Sequence, residues 1–206
     1  MTENIADKAI NDTRIVKQFT NPVKEPIDSD INLFDLLDNR AKRDPEGAMV
    51  EYKGDDGTWR PYSAQVFRDM VIDLAKGLIG LGVNKGDSVA IVSRTRWEWT
   101  ALDMAIMSIG AVTVPVYETN SASQVSWIFN DSKVTLAITE DDGQRDKIEL
   151  VRSEVPTLRN VFVIEAGGLN AIKTYGESVT DAEFWEYKEA SHGDDRATIV
   201  YTSGST

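Results

Sequence analysis

Six residues at the end of the chain have the composition of a phosphate grip: Tyr201-Thr202-Ser203-Gly204-Ser205-Thr206. Each Ser and Thr offers an O–H donor. Gly204 permits a close backbone approach, and successive backbone N–H groups in such a loop can form an anion-binding nest. The apolar run Ala197-Thr198-Ile199-Val200 precedes them and reads as a buried strand. Thr202, Ser203, Gly204, Ser205 and Thr206 are therefore the candidate phosphate-binding residues. An ordinary Ser/Thr loop is the competing reading.

Other chemistries fit less well. His192 is the single histidine and there is no cysteine, so a zinc-type ligand set is not expected. His192 and Asp194 fall in an apparent loop, and Thr-Ser-Gly-Ser-Thr lacks the Gly-x-Ser-x-Gly elbow of a hydrolase. No Gly-Lys-Ser/Thr follows the loop glycine, so Walker A is absent. Asp55-Asp56, between Gly54 and Gly57, reads as a pair of turn acids and not as metal ligands. Gly80-Leu81-Gly82 and Gly86 follow a helical pattern, which makes them a helix end and turn and not a dinucleotide fingerprint. Arg94, Arg96, Trp97 and Tyr117 follow strand ends and could approach a ligand, although structural roles are the favoured reading for each.

The formal net charge of −12 and the lack of a basic run argue against a nucleic-acid partner. Between Glu177 and Asp195, seven acids face one lysine, a net −6 that reads as a solvated helix face. The five tryptophans have no basic groove beside them and read as core. The lack of cysteine fits a cytoplasmic setting. The first residues show no apolar signal-peptide core, and no stretch approaches the roughly 20 apolar residues of a membrane span.

The elements that must position the loop emerge from periodicity. Residues 1–30 read as an N-terminal arm, irregular or laid over the surface, and 31–206 as one incomplete domain. Asn32 is expected to cap a helix to about Arg43 with Leu33, Leu36 and Leu37 inward. Met49–Tyr52 and Trp59–Tyr62 suggest a β-hairpin. Ser63 opens a long amphipathic helix, with Val66, Phe67, Met70, Val71, Leu74, Ala75 and Leu78 inward and Arg68, Asp69, Asp73 and Lys76 outward. Strands are expected at Ser88–Val92, Val112–Val116, Val134–Thr139 and Asn160–Ile164. Helices are expected at Trp97–Ile109, from Ser121 to Asp131, from Asp141 or Asp142 towards Pro156, and after Thr180. This alternation predicts an α/β fold, a mainly parallel β-sheet flanked by helices with an N-terminal β-hairpin. Ligands of such sheets sit beyond the C-terminal strand ends, which is where the terminal loop falls.

The run Ile199-Val200-Tyr201-Thr202-Ser203-Gly204-Ser205-Thr206 resembles the opening of the phosphate loop of AMP-forming adenylating enzymes. Three more blocks resemble the long-chain fatty-acid–CoA ligase branch: Gly86–Ile91, Ser93-Arg94-Thr95-Arg96-Trp97-Glu98-Trp99, and Gly110–Tyr117. Gln124-Val125-Ser126-Trp127-Ile128 and Asp131-Ser132 do so too. The resemblance implies the N-terminal domain of an adenylate-forming enzyme, with fatty acid, ATP, Mg²⁺ and coenzyme A as reactants. It implies that Thr202 to Thr206 hold the ATP phosphates. A ligase for a shorter or aromatic acid is the alternative within the class. A non-catalytic folding or dimerisation module is the alternative outside it. Peripheral membrane contact and self-association stay open. The family's motif runs on through Thr-Gly-x-Pro-Lys-Gly, whereas this sequence stops at Thr206. No catalytic residue is assigned within it, and by itself the 206-residue chain is expected to hold ATP weakly and to be inactive.

Overall fold

The computed structural model describes residues 29–54 and 56–202. The N-terminal arm up to residue 28, Asp55 and Ser203 to Thr206 lie outside the described residues.

The first helix, α1 (Leu33–Arg43), begins at a reciprocal capping box. The Asn32 side chain accepts from Phe34 N–H at 2.9 Å, and the Asp35 carboxylate accepts from Asn32 N–H at 2.7 Å. Strands β1 (Ala48–Lys53) and β2 (Trp59–Ser63) pair antiparallel as the expected hairpin. Asp56 sits in its turn, accepting from Thr58 N–H at 3.0 Å and pairing with Arg60. Ser63 caps α2 (Ala64–Gly80) by accepting from Val66 N–H at 3.3 Å. Five crossover elements come next: β3 (Ser88–Val92), α3 (Trp97–Ser108), β4 (Val112–Val116), α4 (Ala122–Asp131) and β5 (Val134–Thr139). The chain continues through α5 (Asp142–Glu149), a short 3₁₀ turn at Arg152–Glu154, β6 (Asn160–Val163), α6 (Gly168–Tyr175) and α7 (Asp181–Glu189).

The parallel sheet has the order β4-β3-β5-β6. Its alternating side chains feed two cores. Val89, Ile91, Leu136 and Ile138 pack with Phe67 and Leu74 of α2 and Leu102 and Ile106 of α3. Ala90, Val92, Val114 and Ala137 pack with Val125 and Phe129 of α4 and Ile148 of α5. Both faces of β3 are thus covered, which explains its continuous apolar run.

Four expectations are corrected. Residues 197–200 do not form a buried strand. They make one parallel bridge, Thr198 to Thr113 on β4, and Val200 is 54% exposed because only one side has a neighbour among the described residues. On α1 the inner face is Phe34, Leu37, Asp38 and Ala41, so Leu33 and Leu36 face outward. In α2 Val66 is exposed, while Arg68 turns inward to the buried Asp38 at 2.6 Å. Burial favours the neutral form of Asp38, but hydrogen bonds from Lys42 and Arg68 outweigh it and hold its carboxyl below the usual range. Finally, Trp59 and Trp127, read as core, are 63% and 61% exposed. One further helix, α6, falls where no element was expected. It lies on α2 at a contact that only glycine admits: a Cβ on the buried Gly77 would stand 2.3 Å from the Ile172 carbonyl oxygen.

Candidate active site

The predicted loop is entered from an anchored segment at the β4 edge. Thr113 N–H donates to Ala197 O and Ile199 N–H donates to Thr113 O, both at 3.0 Å. The Thr198 hydroxyl donates to Thr113 O at 2.9 Å. Tyr201 then fixes the exit. Its hydroxyl donates to Asp131 Oδ2 at the end of α4 at 2.6 Å, and its ring meets Trp127 edge-on at 5.3 Å. Burial, reinforced by that hydrogen bond, pushes the Tyr201 hydroxyl pKa up. Thr202 comes immediately after, exposed beyond the C-terminal ends of the strands. Of the five predicted site residues, Thr202 is the one within the described residues.

Two clefts flank this exit, separated by the exposed Tyr117 at the end of β4. One, of about 470 Å³, runs between Trp99, Pro115 and Val200 towards Arg94. The other, of about 670 Å³, is lined by Asn120, Ser123, Gln124, Trp127, Tyr201 and Thr202. The capping box of α4 shapes the second cleft: Ser121 Oγ accepts from Gln124 N–H at 3.3 Å, and Gln124 Oε1 accepts from Ser121 N–H at 2.8 Å.

The strand order reverses between β3 and β5, where an open parallel sheet ordinarily receives its ligand. Here protein side chains fill that point. Glu140, directly after β5, has a side chain 5% exposed. It accepts from Arg94 N–H at 2.9 Å and from the Arg94 guanidinium at 2.5 Å. Its own N–H donates to Val92 O at 2.9 Å, and its carbonyl accepts from Glu165 N–H at 3.0 Å. Glu140 therefore latches the ends of β3, β5 and β6 together. Sequence reasoning missed it: the expected helix opens at Asp141 or Asp142, and Glu140 itself carries no local signal.

The other strand-end residues are also engaged in structure. Arg96 forks onto Glu98, with both contacts at 2.8 Å, and reaches Glu165 at 3.3 Å. Trp97 packs edge-on against Tyr62 at 5.0 Å. Burial, with Tyr52 beside it, pushes the Tyr62 pKa up to about 12. Arg94 is paired with Glu140, and Arg96 with Glu98, Glu140 and Glu165, so both guanidinium groups are engaged in locking this end of the sheet. Among the described residues no cluster of three or more potential metal ligands forms. No helix there is long and apolar enough to cross a membrane.

The Glu140 latch makes stability depend on pH with a definite sign. Hydrogen bonds from Arg94 hold the Glu140 carboxyl below its ordinary value of 4.5. Its contribution is therefore complete above that value and fades as pH falls through the lowered one. Arg94 is 67% exposed, which screens the pair. Glu140→Gln should cost about 1 kcal/mol at neutral pH, well below a fully buried pair. In urea titrations the gap between wild type and variant should narrow as pH drops below 4.5. A gap independent of pH would mean that shape, not charge, is what Glu140 supplies.

Known proteins similar to this chain identify its family. The profile described as AMP-binding enzyme matches residues 37–206. Long-chain-fatty-acid–CoA ligase FadD15 of Mycobacterium bovis is 39% identical over 168 residues, covering 80% of this chain and 28% of the relative; the protein of the same name from Mycobacterium tuberculosis gives the same figures. The chain thus spans 28% of the length of these curated relatives. Among solved structures, a long-chain-fatty-acid-CoA ligase (FadD1) from Archaeoglobus fulgidus superposes with a TM-score of 0.69 at 20% identity, over 91% of this chain and 37% of the other. The anthranilate CoA ligase AuaEII, solved with anthranoyl-AMP, also reaches 0.69 at 20% identity, over 86% of this chain and 32% of the other. Both structures share the α/β fold. The chain belongs to the AMP-binding enzyme family.

Proposed function

We propose that this chain is the amino-terminal part of a long-chain fatty-acid–CoA ligase. The observation that carries the reading is the 39% identity to the mycobacterial ligases over 80% of the chain. The anchoring of Tyr201, which delivers Thr202 beyond the sheet's C-terminal end, supports it.

In the proposed reaction a fatty-acid carboxylate oxygen attacks the α-phosphorus of ATP. The bond from that phosphorus to the bridging oxygen breaks, and pyrophosphate leaves. The sulfur of coenzyme A then attacks the acyl carbon, its proton is lost, and AMP departs. A free carboxylate would have to expel oxide, so adenylation supplies the leaving group. Here the enzyme's contribution is chiefly positioning and charge stabilisation at phosphorus. Thr202, Ser203, Gly204, Ser205 and Thr206 would hold the outer phosphates with O–H and N–H donors. Mg²⁺ would accompany the nucleotide and offset its charge. A cytoplasmic setting belongs to the same proposal, with peripheral membrane contact where the acyl substrate is drawn from lipid.

Chain-length preference tests the substrate. Acyl-CoA formation by the full-length protein should be faster with palmitate than with acetate, benzoate or anthranilate. Preference for an aromatic acid would overturn the fatty-acid reading in favour of the chemistry named for the anthranilate ligase.

A further inference from the structure

An apolar groove lies away from the loop, between α1 and the segment entering the β4 edge. Leu33, Leu36 and Ile31 form one wall, exposed by 43%, 58% and 41%. Met107, Ala111 and Ala197 lie across from it, and the space is about 190 Å³. Leu33 and Leu36 are on the outward face of an otherwise well-packed helix, and Ile31 lies just before its N-cap. They form an apolar patch without an assigned partner, of the kind that marks a contact site.

We propose that residues 13–24 of the same chain dock in this groove, with Phe19 entering it. Three observations favour this occupant. First, the chain arrives there: Gly193 lines the groove, and its N–H donates to the carbonyl of Ser29 at 3.0 Å. Only residues 25–28 separate Lys24 from that anchor, a tether of at most ~18 Å. Second, the segment has matching chemistry. Ile15, Val16, Phe19 and Val23 are its large apolar residues, and Arg14, Lys17 and Lys24 give +3 with no acid. Third, the groove borders the acidic stretch from Glu177 to Asp195, net −6; Asp195 on its wall is paired with Lys85 at 2.7 Å and stands beside Arg196, so the attraction comes from the stretch as a whole and not from the groove wall. Opposite charge favours the basic segment. A second copy of this chain, itself net −12, would bring like charge to the same border.

The chain has no cysteine, so single labels report without background. Arg196→Cys, on the groove rim, and Leu150→Cys, next to α5 against the opposite core, would each carry a nitroxide. The label at position 196 should bleach the backbone amide signals of residues 13–24 in the 206-residue chain, while the label at 150 leaves them intact. Changing Arg14, Lys17 and Lys24 together to glutamate should restore much of the lost signal. Intact signals with the label at 196 would overturn the proposal. So would bleaching that appears only between labelled and isotope-enriched molecules in a mixture, since that would make a second copy the occupant.

Discussion

Replacing Thr202 with alanine is expected to lower fatty-acid-dependent adenylate formation by about 10- to 100-fold in the full-length enzyme. The figure rests on one charge-assisted hydrogen bond to phosphate at about 1.5–3 kcal/mol, with about 1.4 kcal/mol per decade of rate. Thr202 is exposed and donates no described hydrogen bond within the fold, so the melting temperature should stay unchanged. Serine at this position keeps the hydroxyl and should recover most of the rate. The loss should fall on kcat more than on the KM for ATP if the hydroxyl grips phosphate more tightly as charge develops. Equal activity of the alanine variant would place the phosphates elsewhere in the loop.

The second large effect concerns stability and has a sign that separates two accounts. Gly77 lies in the interior of α2, where alanine is normally the better helix former by about 0.5–1 kcal/mol. Propensity alone therefore predicts that Gly77→Ala stabilises. The packing predicts the reverse. The added Cβ would stand 2.3 Å from the Ile172 carbonyl oxygen and 2.7 Å from its carbonyl carbon. Both are backbone atoms of α6 and cannot rotate away. Gly176 meets the same helix, where a Cβ would lie 2.7 Å from Gly77 N. Overpacking against a fixed neighbour costs about 1–3 kcal/mol, so Gly77→Ala should lower stability in urea despite its better propensity. A stabilised variant would show that α6 yields readily and contributes little to the fold.

Much of the scaffold is legible in the sequence because single local signals decide it. The apolar runs at Ser88–Val92, Val112–Val116 and Val134–Thr139 are strands buried on both faces, and their bounds agree with the observed ones. Ser63, Ser121 and Thr180 announce helix starts because each hydroxyl caps a backbone N–H three residues on. Other features are hidden because they depend on distant partners. The start of α6 has Gly167 in the left-handed region, at φ 82°, and no side-chain cap, so no start signal exists. The face of α1 is misread because Leu33 and Leu36 look like core residues, yet the buried row is Phe34, Leu37 and Ala41. Arg68 reads as a surface charge until Asp38, thirty residues earlier, is brought beside it. The candidate site divides in the same way. The phosphate loop is a reading from its Ser/Thr/Gly composition and from its position after an apolar run. The Glu140 latch has no such local signal, because it joins residues 46 positions apart.

That latch also bears on where the chemistry lies. Glu140 and Arg94 occupy the β3–β5 reversal, and two of the clefts at the strand ends lie beside β4, where Tyr201 hands the chain to Thr202; another, of about 880 Å³, lies on the hairpin side of the latch. We propose that this corner is the nucleotide half of an adenylating site. ATP–pyrophosphate exchange by the full-length protein tests it most directly. Exchange of labelled pyrophosphate into ATP is expected to require a fatty acid and to proceed without coenzyme A. Fatty-acid activation that releases ADP and phosphate, with no exchange into ATP, would contradict it.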